Sequence, residues 1–331
     1  MQLLATIIVV THDSARYLER MTAAVAAQTE TRWRLVLIDN GSRADERPHQ
    51  RALPPGSSII QCEHNLGFAE ANNLAAGEAD TPYLVFLNPD AFPEPGWLAA
   101  LIAAAERFPE AAAIGSTQWR DGAAAVLDGA GDVLHASGLA YRSHYGRRAT
   151  PPPLAETFSA CAAAMLVRRE AFLDVGGFDA RYFCYFEDVD LGFRLRLAGW
   201  RVVQEPAAVV SHVGGGVLGA RSRFGDYHGA RNRTWTFFKC MPAALFWPLL
   251  PAHLVASALA VSVAALKTRS FDGWRGFSDA LGNMGPIWES RRDLQRTRTA
   301  STLDIAAALA WSPDCLISRR PTPKPLRRQA R

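Results

Sequence analysis

Several things are scarce in this 331-residue chain, and each scarcity excludes a class of protein. Its five cysteines, Cys62, Cys161, Cys184, Cys240 and Cys315, are scattered, odd in number and form no C-x-x-C pair. That argues against a disulfide framework or a zinc ribbon and fits a reducing compartment. No basic stretch or small-residue cleavage site accompanies the apolar run Leu3 to Val10, which reads as a first strand and not a signal peptide. No internal repeat is visible. Formal charge is absent between Lys239 and Lys267, and acids are absent after Asp314, where Arg319, Arg320, Lys324, Arg327, Arg328 and Arg331 are all basic. A basic end of this kind suits an anionic surface, or is a solvated tail. The net charge of +4 is modest, and no nucleic-acid partner is expected.

What is present is apolar and ordered. Hydrophobic residues make up 49% of the chain, enough to bury a large core and to exclude a wholly disordered protein. Strand and helix signals alternate: strands over Leu4–Val10, Arg34–Asp39, Ser57–Cys62 and Tyr83–Asn88, helices over Ala15–Gln28, Gly67–Ala76 and Pro95–Phe108. Such alternation predicts an α/β fold with a mixed, mostly parallel sheet and helices on both faces. Ligands then bind beyond the carboxyl ends of the strands, where Thr11, Asp39 and Asn88 to Asp90 fall. From Trp119 to Thr157 the pattern weakens into an irregular insertion. Order returns with Cys161–Val167, a helix from Arg169, and a helix beginning near Asp190.

The acids at strand ends carry the chemistry. Asp39 opens Asp39-Asn-Gly-Ser42, where a carboxylate either meets a nucleobase or ribose or starts an Asx-turn. Asp90, in Asn88-Pro-Asp90, is either a turn residue or a ligand of the divalent ion that a diphosphate needs. Phe186-Glu-Asp-Val-Asp-Leu191 puts three acids within four residues; Asp190 can cap the following helix, which leaves Glu187 and Asp188 available for general-base work. His212 follows a strand signal and by itself reads as structural. Gly214, Gly216 and Gly219 match G-x-G-x-x-G, but no apolar-periodic helix follows directly and no acid ends a later strand about 20 residues on, so the match is a decoy.

In order, Ile7-Ile-Val-Val-Thr11, Val36-Leu-Ile-Asp-Asn-Gly-Ser42, Asn65-Leu-Gly-Phe-Ala-Glu-Ala-Asn-Asn73, Phe86-Leu-Asn-Pro-Asp90, Gly176-Gly-Phe-Asp179, Phe186 to Leu191, His212 and Arg231-Asn232 resemble the inverting glycosyltransferases of family 2, rhamnosyltransferase-like branch. The resemblance covers residues 3 to 240. It implies a GT-A-type nucleotide-binding fold with a nucleotide-binding half (1–118), an acceptor half (119–240), an apolar and basic helical extension (241–300) and a basic tail (301–331). It further implies a nucleotide-diphosphate sugar donor bound by Thr11, Asp39, Asn65, Gly67, Asn73, Asn88 and Asp90. Mg²⁺ or Mn²⁺ would be held by Asp90 and His212, with Asp188 as base and Glu187 beside it. Two positions depart from the family pattern: Thr11-His12-Asp13 stands for Thr-Tyr-Asn, and Asn88 stands where many relatives have an acid.

The expected reaction is transfer of rhamnose from dTDP-rhamnose, or of a sugar from a UDP donor, to a glycan or lipid-linked acceptor. A nucleotidyltransferase would show a basic glycine-rich loop after the first strand, and a non-enzymatic nucleotide-binding scaffold has no reason to keep Asp90, Asp188 and His212 together. The uncharged run Cys240–Leu266 is long enough to span a membrane, but Pro242, Pro248 and Pro251 are expected to break it. A peripheral position on the cytoplasmic face of the inner membrane follows, with Arg291, Arg292, Arg296, Arg298 and the tail on anionic headgroups; a buried helical hairpin is the alternative.

Overall fold

The computed structural model describes residues 2–148, 150, 152–214, 222–318 and 321–326. The first half runs β1 (Ala5–Thr11), α1 (Ala15–Ala26), β2 (Trp33–Asn40), β3 (Ser58–Cys62), α2 (Gly67–Glu78), β4 (Tyr83–Leu87), β5 (Ala91–Pro93) and α3 (Trp97–Arg107). Next come β6 (Ala111–Arg120), the short strands β7 (Leu127–Gly129), β8 (Asp132–Leu134), β9 (Ala140–Arg142) and β10 (Ala155–Glu156), then β11 (Ala164–Arg168), α4 (Arg169–Asp174), α5 (Glu187–Leu197) and β12 (Arg201–His212). The helical end comprises α6 (Arg223–Cys240), α7 (Ala243–Thr268), α8 (Asp272–Gly282), α9 (Gly285–Thr297), α10 (Thr302–Ala308) and α11 (Asp314–Ser318), followed by β13 (Lys324–Pro325).

Among the described residues the main sheet has the order β13-β10-β12-β6-β11-β4-β1-β2-β3. Strands β4, β1, β2 and β3 are parallel neighbours, β6 and β12 are parallel, and β11 lies antiparallel between the two blocks. The β-branched runs are explained by burial on both faces. Ile7, Val9, Leu35 and Leu37 pack towards α1 and α3, while Ile8, Val10, Val36 and Ile38 point to the opposite core with α2 and Phe172. This alternation sets the register and aligns the strand ends.

The helical end is welded to this scaffold. Val189 and Phe193 of α5, Trp235 and Phe237 of α6, Phe246 of α7 and Ile287 of α9 form one core that extends across residue 240. The structure departs from the sequence-based expectations at three places. Pro248 and Pro251 do not break α7, which runs unbroken for 26 residues. The carbonyls their rings displace, on Ala244 and Trp247, belong to residues on the exposed side, where losing a helical bond costs least. Arg291 is buried, with Nη1 donating to the Phe238 and Met241 carbonyls at 2.7 and 2.6 Å, so it does not face a headgroup. The chain end is not simply a solvated tail: Lys324 lies in a strand paired with β10 and donates to the carbonyls of Ala307 and Leu309. Arg319, Arg320, Arg327, Arg328 and Arg331, with Gly216 and Gly219, lie outside the described residues.

Candidate active site

Two adjoining cavities open at the carboxyl ends of the central strands. The first, of about 390 Å³, is lined by His12, Asn40, Asn65, Asn88, Asp90 and His212 among others. Its wall is set by an amide clasp between the ends of β2 and β3. Asn40 Nδ2 donates to Asn65 Oδ1 at 3.0 Å, Asn65 Oδ1 also accepts from Gly67 N at 2.8 Å, and Asn40 Oδ1 accepts from Leu66 N at 2.8 Å. Gly67 itself has φ +84°, and a Cβ there would stand 2.6 Å from the Phe183 ring, so glycine lets two loops touch.

Asp90 and His212 are brought together by backbone pairing. β5 runs antiparallel to β12 with Ala91 opposite His212, and Val213 N donates to Asp90 O at 3.1 Å. The His212 Nε2 atom stands 3.4 Å from Asp90 Oδ1, and Nδ1 is 2.9 Å from Asp128 Oδ2. His212 is 3% exposed, and its Nε2 makes no hydrogen bond. Burial opposes the imidazolium, but Asp128 and Asp90 outweigh it and raise the His212 pKa. The chemistry of these donors, an imidazole nitrogen turned towards a carboxylate with its other nitrogen held by a second carboxylate, is suited to a divalent cation. Among the described residues no group of three or more His, Cys, Asp or Glu is placed to hold a metal ion.

The second cavity, of about 260 Å³, is lined by Asp132, Tyr141, Cys161, Glu187 and Asp188 among others, and shares Phe68, Asn88, Arg142, Cys184 and Tyr185 with the first. Glu187 and Asp188 open α5. Burial, and then the neighbouring Asp188 charge, push the Glu187 pKa well above the carboxylate range, and its Oε2 has no hydrogen-bond partner. Asp188 is half-buried and also raised by burial, but Ala162 N at 3.2 Å and Val189 N at 2.8 Å donate to its carboxylate and, with Arg142, oppose the rise. Of the two, Asp188 is therefore the readier to carry a charge at the cavity wall.

Asp190 is not the helix cap expected of it, because α5 begins three residues earlier. Its fully buried carboxylate instead accepts from Arg194 Nε at 2.7 Å and Tyr182 Oη at 3.0 Å, and pairs with Lys239 Nζ at 2.6 Å. These cations hold its pKa low against the cost of burial.

Thr11, Asp39 and Asn73 do not line either cavity. Thr11 is buried opposite Asp39 in the β1–β2 ladder. Asp39 accepts from Ser42 N at 3.1 Å and Gln61 Nε2 at 3.3 Å, which shapes the Asx-turn. Asn73 binds both backbone groups of Phe178, at 2.7 and 2.8 Å, and ties α2 to the Gly176-Gly177 turn. Conversely, Asp128, Asp132 and Arg142 escaped the sequence reading. Arg142 Nη1 donates to Asp128 at 2.6 Å, and Asp132, deeply buried beside the Asp188 charge, is pushed up to about 7. The spacing Asp128-Gly-Ala-Gly-Asp132 was the available signal.

The profile of Glycosyl transferase family 2 matches residues 6–176. The chain is 34% identical over 237 residues to the N-acetylglucosaminyl-diphospho-decaprenol L-rhamnosyltransferase of Mycobacterium tuberculosis, covering 62% of this chain and 75% of that protein. It is 29% identical over 223 residues to the rhamnosyltransferase WbbL of Escherichia coli, covering 62% of this chain and 82% of that one. Among solved structures, GalNAc-T7 with UDP, GalNAc and Mn²⁺ superposes with a TM-score of 0.65 at 15% identity, over 88% of this chain but about half, 54%, of the larger enzyme. The mannosyltransferase PcManGT of Pyrobaculum calidifontis, in complex with GDP-Man and Mn²⁺, gives a TM-score of 0.51 at 16% identity, over 92% of this chain and 88% of that one. With the family profile covering more than half its length and a GT-A sheet beneath it, this chain belongs to glycosyl transferase family 2 and is a glycosyltransferase.

Proposed function

We propose that the protein transfers rhamnose from dTDP-rhamnose to a glycan or lipid-linked acceptor by a single, inverting displacement. The observation that carries this reading is the pair of adjoining cavities, one holding Asp90 and His212 and the other Glu187 and Asp188, with Asn88 and Arg142 at their common boundary. The donor's diphosphate fits the first cavity beside Asp90 and His212, and the acceptor hydroxyl fits the second. Asp90 and His212 would hold Mg²⁺ or Mn²⁺, which when bound supplies Lewis-acid stabilisation of the leaving diphosphate. Asp188 takes the proton of the attacking hydroxyl as its oxygen bonds to the anomeric carbon, and the bond to the diphosphate breaks. Glu187, kept neutral, leaves the charge on its neighbour. Thr11, Asp39 and Asn73 act from behind the cavity walls, and Asn65 with Gly67 forms the wall itself.

The rhamnosyl donor is supported by the two relatives above, both named as rhamnosyltransferases. Work at a membrane surface is supported by α7, the one described helix long and apolar enough to cross a bilayer by length and composition. Its buried face, Phe246, His253, Ser257 and Val261, is fastened to the rest of the protein, with His253 stacked on Phe237 at 4.0 Å and bonded to the Ser137 carbonyl. A helix held this way favours lying on the membrane, with Trp247, Val255, Leu259 and Leu266 in the apolar layer and Lys267, Arg269 and Arg275 at the headgroups. The catalytic unit is residues 1–240 with 241–300 as its membrane-facing extension.

The test is a panel of dTDP-, UDP- and GDP-sugars with polyprenyl-diphospho-N-acetylglucosamine as acceptor. Rhamnosylated lipid from dTDP-rhamnose alone is the expected product. Transfer only from a UDP-sugar would overturn the donor, since one methyl group on the base is worth about 1–3 kcal/mol, and would leave the reaction class standing.

A further inference from the structure

The segment between the two cavities is held in a conformation it does not favour by itself. Phe183, Tyr185 and Phe186 have positive φ, of 62, 69 and 69°, which side-chain-bearing residues rarely adopt. Non-glycine residues there cost about 1–3 kcal/mol each and persist where their surroundings dictate them. Phe183, Cys184 and Tyr185 line the first cavity, and Cys184 to Asp188 line the second. The helix carrying Glu187 and Asp188 starts directly after Phe186, without a side-chain cap.

One side chain gathers this strained backbone. Asn232, fully buried on α6, directs Nδ2 at the carbonyls of Tyr182, Cys184 and Tyr185, at 2.9, 3.0 and 2.7 Å. Its Oδ1 accepts from Arg231 Nε at 2.9 Å, and Arg231 Nη2 donates to the carbonyls of Arg181 and Tyr182 at 3.0 and 3.1 Å. The opposite side of the segment is pinned by Ala69 N, which donates to Phe183 O at 3.1 Å. An amide whose two N–H bonds are shared among three carbonyls turned to one point fixes the direction in which the chain enters α5.

We propose that Asn232 is a positioning residue for sugar transfer, holding the Phe183–Phe186 backbone so that Asp188 meets the acceptor hydroxyl. The inference rests on the reading of Asp188 as base. Serine at 232 leaves one hydroxyl that can reach a single carbonyl, so the segment relaxes and Asp188 moves.

The experiment uses the full chain with dTDP-rhamnose and polyprenyl-diphospho-N-acetylglucosamine. In Asn232→Ser, kcat falls about 100-fold, the cost of a displacement near 1 Å, while the donor KM stays within about twofold. Amide hydrogen exchange rises over residues 182–188 and is unchanged over β1 and β2. Thr234→Ala, a buried change on the same helix away from the segment, keeps kcat near wild type. A wild-type kcat in Asn232→Ser, or a donor KM that rises in step with the fall in kcat, overturns the proposal. If Asn232→Ser does not fold, Arg231→Ala decides: a lower kcat at unchanged donor KM supports positioning, and a wild-type kcat refutes it. Loss of activity in Asp188→Asn together with a wild-type kcat in Asn232→Ser refutes positioning alone. Full activity in Asp188→Asn instead removes the base assignment.

Discussion

His212 Nε2 faces Asp90 Oδ1 at 3.4 Å while its Nδ1 is held by Asp128 at 2.9 Å, so the imidazole is oriented from behind by a carboxylate that the sequence reading did not single out. Such a supporting carboxylate fixes the tautomer and the ring plane. Asp128→Asn is expected to weaken Mn²⁺ binding about 10–100-fold, and His212→Ala and Asp90→Ala to weaken it further. Calorimetric titration of Mn²⁺ in the presence of dTDP measures this directly; unchanged binding in all three variants would return Asp90 and His212 to the roles of turn acid and structural histidine.

The buried ion group behind the site predicts a stability effect separate from catalysis. Asp190, Arg194 and Lys239 have side chains no more than 7% exposed and compensate one another. Asp190→Asn leaves two cations facing an amide, and a loss of about 3–5 kcal/mol in urea unfolding is expected. Because the Asp190 pKa is lowered in the fold, its contribution is complete above the ordinary aspartate range and disappears as pH falls through the depressed value. The variant and the wild type should therefore converge in stability at strongly acidic pH.

The exposed face of α7 predicts membrane behaviour. Trp247→Asp combined with Leu259→Asp should abolish co-sedimentation with vesicles containing phosphatidylglycerol, and leave the thermal midpoint close to wild type because both residues are more than 60% exposed. High salt should release the wild-type protein, since the screening length is about 3 Å at 1 M. Retention through both high salt and carbonate would favour a true span.

The first half of the sheet was legible because parallel strands buried on both faces announce themselves as β-branched runs, and β1 to β4 begin and end within two residues of where those runs do. The acids of α5 were legible as a surplus, but not their division of labour. Asp190's partner Lys239 lies 49 positions away, and only the fold brings it there. The partner of Asn73 was hidden for a similar reason: its amide serves Phe178, 105 residues on. Asp128, Asp132 and Arg142 sit on three-residue strands, too short to show a period. The prolines of α7 mislead a local reading because their cost depends on which side of the helix is buried.

If Asp188 is the base of a single displacement, the rate of rhamnosyl transfer by Asp188→Asn, measured beside its affinity for dTDP and across pH, decides it. Burial raises the Asp188 pKa in the fold, and a base acts only when deprotonated, so wild-type kcat should fall on the acid side at a pH above the ordinary aspartate value of about 3.9. Asp188→Asn is expected to lose at least about 1,000-fold in kcat, to bind dTDP as tightly as wild type, and to show no acid limb in its residual rate. Near-normal turnover in Asp188→Asn with the wild-type pH profile intact would contradict it and move the base to Glu187 or Asp132.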